Sequence, residues 1–187
     1  LRIVNPNFSV DPDLKDEKGF TADLGIRGKK GEYFSYDLSL FYIAYKGRIG
    51  QILKADQPPL YLDYRLRTNV SDARNIGVES FMEFDIMKAI RPRSIQSFSV
   101  YINGAIVDAK YVNTEEASIK NKKVEMVPPI MLRSGLSYKT GVFNSSIQFS
   151  HLRQHFTDAT NAVRTATAVE GLIPSYQVMD FSAAYRW

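Results

Sequence analysis

Apolar and polar residues alternate along seven long stretches of the chain: 20–30, 33–47, 74–88, 95–111, 130–139, 142–156 and 176–187. In the second stretch the even positions, from Phe34 to Ala44, are mostly apolar, while the odd positions include Ser35, Asp37 and Ser39. Successive side chains of a β-strand point to opposite faces, so the pattern predicts strands with one apolar and one mixed face. This stretch is more than twice as long as an ordinary strand of roughly 5–6 residues. A tilted strand that crosses a bilayer needs roughly 9–11 residues.

The links between the stretches alternate between short and long. The short turns lie at 28–32, 89–94 and 139–141, and the long links lie near 48–73, 112–128 and 157–175. Most connections in compact soluble domains have roughly 4–6 residues. Short turns at one end and long loops at the other are typical of outer-membrane β-barrels. We therefore predict an all-β, antiparallel up-and-down transmembrane barrel with neighbouring strands in sequence order. A soluble β-sandwich, which also has one apolar and one polar face, is the alternative.

The alternation also predicts which side chains face the lipid. We expect one group to point outward and another to point inward: Leu38, Leu40, Val78, Met82, Val100, Ile102, Leu132 and Leu136 outward, and Asp37, Glu79, Glu83 and Asn103 inward. Aromatic residues near the strand ends would form girdles at the membrane surface: Tyr33, Phe34, Tyr42, Tyr138, Phe143, Tyr176 and Trp187. Alternatively, these residues reflect only the preference of aromatic side chains for strands.

Composition and motifs exclude several classes of protein. The 187 residues contain no cysteine, which excludes disulfides and cysteine metal sites, and no run of eighteen apolar residues that would form a membrane-spanning helix. Phosphate-binding loops and nucleophile elbows are absent from the sequence. His151 and His155 would lie about 13 Å apart in a strand, too far to share a metal. We predict no enzyme, catalytic residue, metal site or cofactor, and no nucleic-acid partner.

Several segments, taken in order, resemble the barrel of TonB-dependent outer-membrane receptors. Glu17 and Gly19 match the family's start of a barrel strand, Gly77-Val78-Glu79 matches a second strand motif, and Asp108-Ala109 begins a third. The last of these continues in the proline-containing stretch at 121–129. Segments 155–161 and 171–180 are most similar to receptors of the ferric-citrate type.

The resemblance implies a 22-stranded barrel around an N-terminal plug in the bacterial outer membrane. Residues 1–187 would be part of the C-terminal barrel, about seven strands, with the plug and the last strands outside this sequence. The implied function is TonB-dependent uptake of an iron chelate, ferric citrate or another siderophore. The implied partners are that chelate, the TonB complex through the absent plug, and outer-membrane lipid. The alternatives are a soluble β-sandwich binding module and a structural or adhesive barrel that does not transport.

Basic residues in the long links are candidates for binding the chelate. Ferric citrate is an anion, and arginine binds carboxylates in a forked geometry. If the resemblance holds, Arg65 and Arg67 are the preferred contacts because an extended chain puts both on one face, and Arg164 is a further candidate. The alternative is that they are solvated, or that they pair with Asp56, Asp63 or Asp72.

Overall fold

The computed structural model describes residues 8–57, 62–114, 118–164 and 171–187. Seven long strands form one sheet in which all neighbours are antiparallel, in the order β10-β7-β6-β5-β4-β3-β2. They are β2 (Lys18–Lys30), β3 (Phe34–Gln57), β4 (Leu62–Asp85), β5 (Ser97–Val112), β6 (Ile130–Thr140), β7 (Phe143–Leu152) and β10 (Tyr176–Tyr185). The predicted antiparallel order of sequence neighbours is therefore confirmed.

The remaining elements are short. β1 (Phe8–Val10) runs parallel to β4, and β8 (His155–Phe156) pairs with β9 (Leu172–Ile173). Helix α1 (Ile86–Ile90) follows β4 directly, and the Asp85 side chain caps it by accepting a hydrogen bond from the Lys88 amide at 2.9 Å. Within the described residues no helix has the length and apolar character needed to span a membrane.

The strand register sorts the side chains into two faces, because residues that pair directly share a face. Leu40 pairs with Val78, Met82 with Ile102, and Val100 with Leu136, so the predicted apolar face is continuous across β3 to β6. This face is uncovered: Leu24 is 76 % exposed and Leu40 56 %. The opposite face is polar near the short turns and carries Asp37, Glu79, Glu83 and Asn103, as predicted.

The apolar run on the exposed face shifts steadily from strand to strand. The run in β2 is centred at position 23, which pairs with Phe41 of β3. The run in β10 is centred at position 182, and the residue pairs that lead from there across β7, β6, β5 and β4 reach position 33, just before Phe34 of β3. The run is displaced by eight positions (41 to 33) over six strand pairs. With about 3.3 Å per residue and about 4.8 Å between strands, the strands tilt by about 40°. Membrane barrels have tilts of roughly 35–45°.

The predicted long link at 48–73 is wrong in extent. β3 and β4 each continue for 24 residues, and together they form a long hairpin that rises beyond the apolar face. Two register shifts between Tyr45 and Ile49 reset the pairing, and Gly47 there adopts a φ of 62°. Beyond the shifts Ile52 pairs with Leu66, and burial of apolar residues on one side sustains the strands. The turn predicted at 89–94 likewise contains part of α1.

Aromatic residues cluster at both ends of the exposed face. Near the short turns, Phe34 contacts Tyr36 and Phe84, and Tyr138 contacts Phe143. At the other end the ring centres of Phe20 and Tyr42 lie 5.7 Å apart. Tyr176 does not belong to this arrangement, since its pairing with Leu152 puts it on the polar face.

Candidate functional site

The loop end of the polar face is covered by two long links that form a small core. Its buried residues come from the hairpin, from β5 and from both links: Ile52, Ala73, Val107, Ala109, Tyr111, Ile119, Val124 and Ala159. Ile119, Val124 and Ala159 are at most 1 % exposed although they lie outside the long strands. The links therefore fold onto the sheet rather than extending into solvent.

A buried polar contact anchors the first link. The Tyr111 hydroxyl of β5 donates a hydrogen bond to the Glu125 carboxylate, and both residues are buried. The Arg48 guanidinium lies 5.3 Å from the centre of the Tyr45 ring on the same side of the hairpin. A Cβ on Gly50 would lie 2.5 Å from a Glu125 carboxylate oxygen, so a glycine there leaves room for the carboxylate. The sheet and the link are thus joined around one buried acidic side chain.

The second link is held by a buried aspartate. Asp158 is completely buried and accepts hydrogen bonds from the amides of Thr160 and Ala162 and from the Thr160 hydroxyl. Its neighbour Asn161 reaches the first link, accepting from the Lys123 amide at 2.7 Å and donating to the Lys123 carbonyl at 2.8 Å. The two links consequently form one unit over the polar face.

The candidate arginines lie at this end, but on different surfaces. Arg65 and Arg67 share one face of β4, as predicted, and Arg67 is exposed. Leu66 between them packs against the small core, so both arginines lie on the face of the hairpin opposite the core. Arg164 is exposed in the second link, where its backbone forms a bridge with Gly171. Of the aspartates proposed to pair with them, Asp72 bonds instead to the Gly47 amide and to Asn113, while the side chains of Asp56 and Asp63 lie outside the described part of the structure.

Residues that sequence reasoning left unassigned turn out to organise this end. The sequence does not single out Arg48, Glu125 and Asp158, because none of the three lies in an alternating stretch. The sequence does give an indication for Tyr111, since the alternation of β5 puts its side chain on the same face as Ala109. The described residues hold no cluster of three metal-binding side chains of the His, Cys, Asp or Glu types.

The half of the polar face near the short turns carries a row of small polar groups, of which Asp85 and Ser99 are buried and the others are at least partly exposed. Asp85, Ser99, Ser137, Ser146 and Ser182 follow one another across five strands. Ser146 and Ser182 lie 2.8 Å apart, and the Tyr101 hydroxyl donates to Gln148 at 2.8 Å. Such a surface suits water or a polar protein partner, and not lipid.

Comparison with known proteins settles the family. Residues 2–187 match the family described as TonB dependent receptor-like, beta-barrel. The chain belongs to this family. As in other TonB-dependent receptor barrels, it is located in the outer membrane, so the apolar face contacts lipid and the polar face lines the interior. The short turns are then periplasmic and the long links extracellular.

Solved structures show the same fold. The ferric citrate transporter FecA, unliganded, is 23 % identical over 91 % of this chain and 24 % of its own, with a TM-score of 0.69. The copper transporter OprC is 15 % identical over 94 % of this chain and 24 % of its own, with a TM-score of 0.65. BauA, the ferric preacinetobactin receptor from Acinetobacter baumannii, is 18 % identical over 89 % of this chain and 22 % of its own, with a TM-score of 0.59. The chain thus spans about a quarter of each receptor. No curated protein sequence matches it significantly.

Proposed function

We propose that this chain is part of the C-terminal barrel of a receptor that imports an iron chelate across the outer membrane with energy from TonB, and that the chelate is of the ferric-citrate type. The observation that carries the proposal is the division of one tilted sheet into a lipid face and a polar interior face, within a family of receptors. The similarity to a ferric citrate transporter supports the choice of chelate. Residues 1–187 would all belong to the barrel domain.

The polar row near the periplasmic end supports a plug domain as the partner of the interior face. A groove of about 340 Å³ lies beside this row. Its lining includes Ser35 and Glu83, which are partly exposed, and the buried Asp85, whose carboxylate already accepts from the Lys88 amide and the Ser97 hydroxyl. A plug with complementary polar groups would bond to the partly exposed side chains, and it would carry the segment that contacts TonB.

The test is uptake by iron-starved cells that depend on the complete receptor containing this sequence. We expect radioactive ferric citrate to accumulate in these cells, and accumulation to stop when TonB is deleted. A panel of other ferric siderophores at the same concentration defines the substrate class. Uptake of a different chelate would replace ferric citrate and leave the transporter in place. Absence of uptake for every chelate would instead favour the structural or adhesive barrel.

Arg65, Arg67 and Arg164 remain the proposed contacts for the anionic chelate. Because Arg65 and Arg67 lie on the face of the hairpin opposite the small core, we propose that they meet the chelate as it approaches the cell surface, before it enters the barrel. Clusters of charge outside a binding site raise the rate of encounter more than they raise final affinity. Arg164, exposed in the second link, would provide a separate contact at the same end of the barrel.

A further inference from the structure

Basic side chains follow the apolar residues at the extracellular edge of the lipid face. Beyond Tyr42 and Ile76, the next positions on this face are Ala44 and Arg74, and Arg74 pairs with Lys110. On the other side, Lys46 pairs with Lys18 at the start of β2. Register therefore puts four cations at the level where lipid headgroups begin.

Three of these cations line one groove. It has a volume of about 560 Å³, and its charged lining consists of Lys18, Lys46, Arg74 and the single carboxylate of Asp72. Asp72 is already occupied, since it accepts from the Gly47 amide at 2.9 Å and from Asn113 at 3.4 Å. The groove thus has an excess of positive charge and suits an anion.

Asp108 is the other carboxylate at this edge. One of its oxygens lies 3.7 Å from Arg74 and another lies 3.0 Å from Lys110. The side chains of Arg74 and Asp108 are 43 % and 45 % exposed, and such exposed pairs are weak. Arg74 is consequently able to exchange this long contact for a shorter one with a bound anion.

The lower part of the groove is apolar. Phe20, Tyr42 and Ala44 line it, and the two rings continue into the exposed apolar face that contacts lipid. A free phosphate would use only the charged part of this groove. A phosphorylated lipid would use both parts, with its phosphate among the cations and its acyl chains along the rings and the strands below.

We propose that this groove binds the phosphorylated headgroup of an outer-leaflet lipid. Lys18, Lys46 and Arg74 bind the phosphate, and Phe20 and Tyr42 contact the start of the acyl chains. The lipid would hold β2, β3 and β4 together where the long hairpin leaves the membrane. The proposal requires the membrane orientation of the barrel and is independent of which chelate the receptor carries.

The test is native mass spectrometry of the complete receptor in detergent, titrated with diphosphorylated lipid A. The variant is K18Q/K46Q/R74Q, and the matched control K30Q/R91Q/R93Q removes the same charge at the periplasmic end. Each basic residue near an anionic surface is worth roughly a fivefold change in affinity, so we expect the variant to bind roughly a hundredfold more weakly. The control should bind like the wild type. Single variants K46Q and R74Q, each weaker by several fold, serve if the triple variant does not fold.

Three outcomes would overturn the proposal. Equal binding by the wild type and the variant would exclude the groove. An equal loss of lipid A affinity in the variant and in the control would mean that binding depends only on the overall charge of the receptor. If inorganic phosphate displaced bound lipid A as effectively as added lipid A does, the groove would take a free anion rather than a lipid. Because the readout is lipid binding, failure of chelate uptake would not affect it.

Discussion

Asn69 and Lys15, which are 54 residues apart in the chain, exchange two hydrogen bonds through the Asn69 side chain. Its Oδ1 accepts from the Lys15 amide at 2.7 Å, and its Nδ2 donates to the Lys15 carbonyl at 2.8 Å. The same Nδ2 donates to the Gly47 carbonyl at 2.7 Å. One side chain thus fastens the segment between β1 and β2 across the hairpin, at the place where the register of β3 and β4 shifts.

Replacing Asn69 with Ala should release this segment. The lost bonds leave two carbonyls and one amide to find water, and a typical hydrogen bond contributes about 0.5–1.5 kcal/mol. We expect amide exchange at 11–17 to accelerate by at least tenfold, while exchange in β6 and β7 stays unchanged. Asn113→Gly is the control, because it removes one long, exposed bond to Asp72 at 3.4 Å, and glycine adopts the φ of 54° found there without strain. Unchanged exchange at 11–17 in Asn69→Ala would show that other contacts hold the segment.

Acid should loosen the same segment. A hydrogen bond from the Thr68 hydroxyl at 2.5 Å and one from the Asp13 amide at 2.9 Å lower the pKa of Asp11 below its usual value of 3.8. When folding lowers the pKa of a carboxyl group, the released chain binds more protons, so the stabilisation is present above about pH 4 and is lost as pH falls through the folded pKa. Exchange at 8–14, corrected for its intrinsic pH dependence, should rise below about pH 4. In Asp11→Asn this added rise should disappear, and its persistence would assign the effect to another group.

Tyr111→Phe should weaken the cover over the interior. The substitution keeps the ring but leaves the buried Glu125 carboxylate without its hydroxyl donor. An unsatisfied buried group costs about 1–3 kcal/mol, and more when it is charged. We expect limited proteolysis from outside the cell to cut the link at 113–129 several times faster. Tyr101→Phe is the matched control, since the hydroxyl of Tyr101 bonds to Gln148 near the periplasmic end. Equal cutting of the two variants would contradict the anchoring role of Tyr111.

The strands could be predicted from the sequence because alternation is a local pattern that arises where the two faces of a strand meet different environments. Leu40 and Ser39 are assigned to opposite faces by position alone, and the register confirms it. The extent of β3 and β4 beyond Tyr45 could not be predicted, because Ile52 is buried and Leu66 partly buried by links that lie far away in the sequence. Arg65 and Arg67 were correctly placed on one face. Which face that is depends on the two register shifts, and these have only Gly47 as a local sign.

Leu40→Lys should impair assembly of the barrel far more than Ser39→Lys. Leu40 is 56 % exposed on the lipid face, whereas Ser39 pairs with Glu79 on the interior face. A lysine facing lipid near the bilayer midplane costs about 2–4 kcal/mol, and the cost in the interior is smaller. The measurement is the heat-modifiable folded fraction of the complete receptor on gels. Equal folded fractions for the two variants would contradict the assignment of faces.

Arg65→Ala/Arg67→Ala should slow the capture of an anionic ferric chelate. Because both residues lie on the face of the hairpin opposite the core, their attraction acts mainly on approach. We expect the association rate of ferric citrate with the complete receptor to fall several fold at low salt, with little change in the dissociation rate. At about 0.5 M salt the difference should nearly vanish, because the screening length is then only a few ångströms. Arg91→Ala/Arg93→Ala removes equal charge at the periplasmic end and should leave the rate unchanged. Stopped-flow measurements that show equal association rates for wild type and the Arg65/Arg67 variant at low salt would remove these arginines from the site, and the assignment to the receptor family would stand.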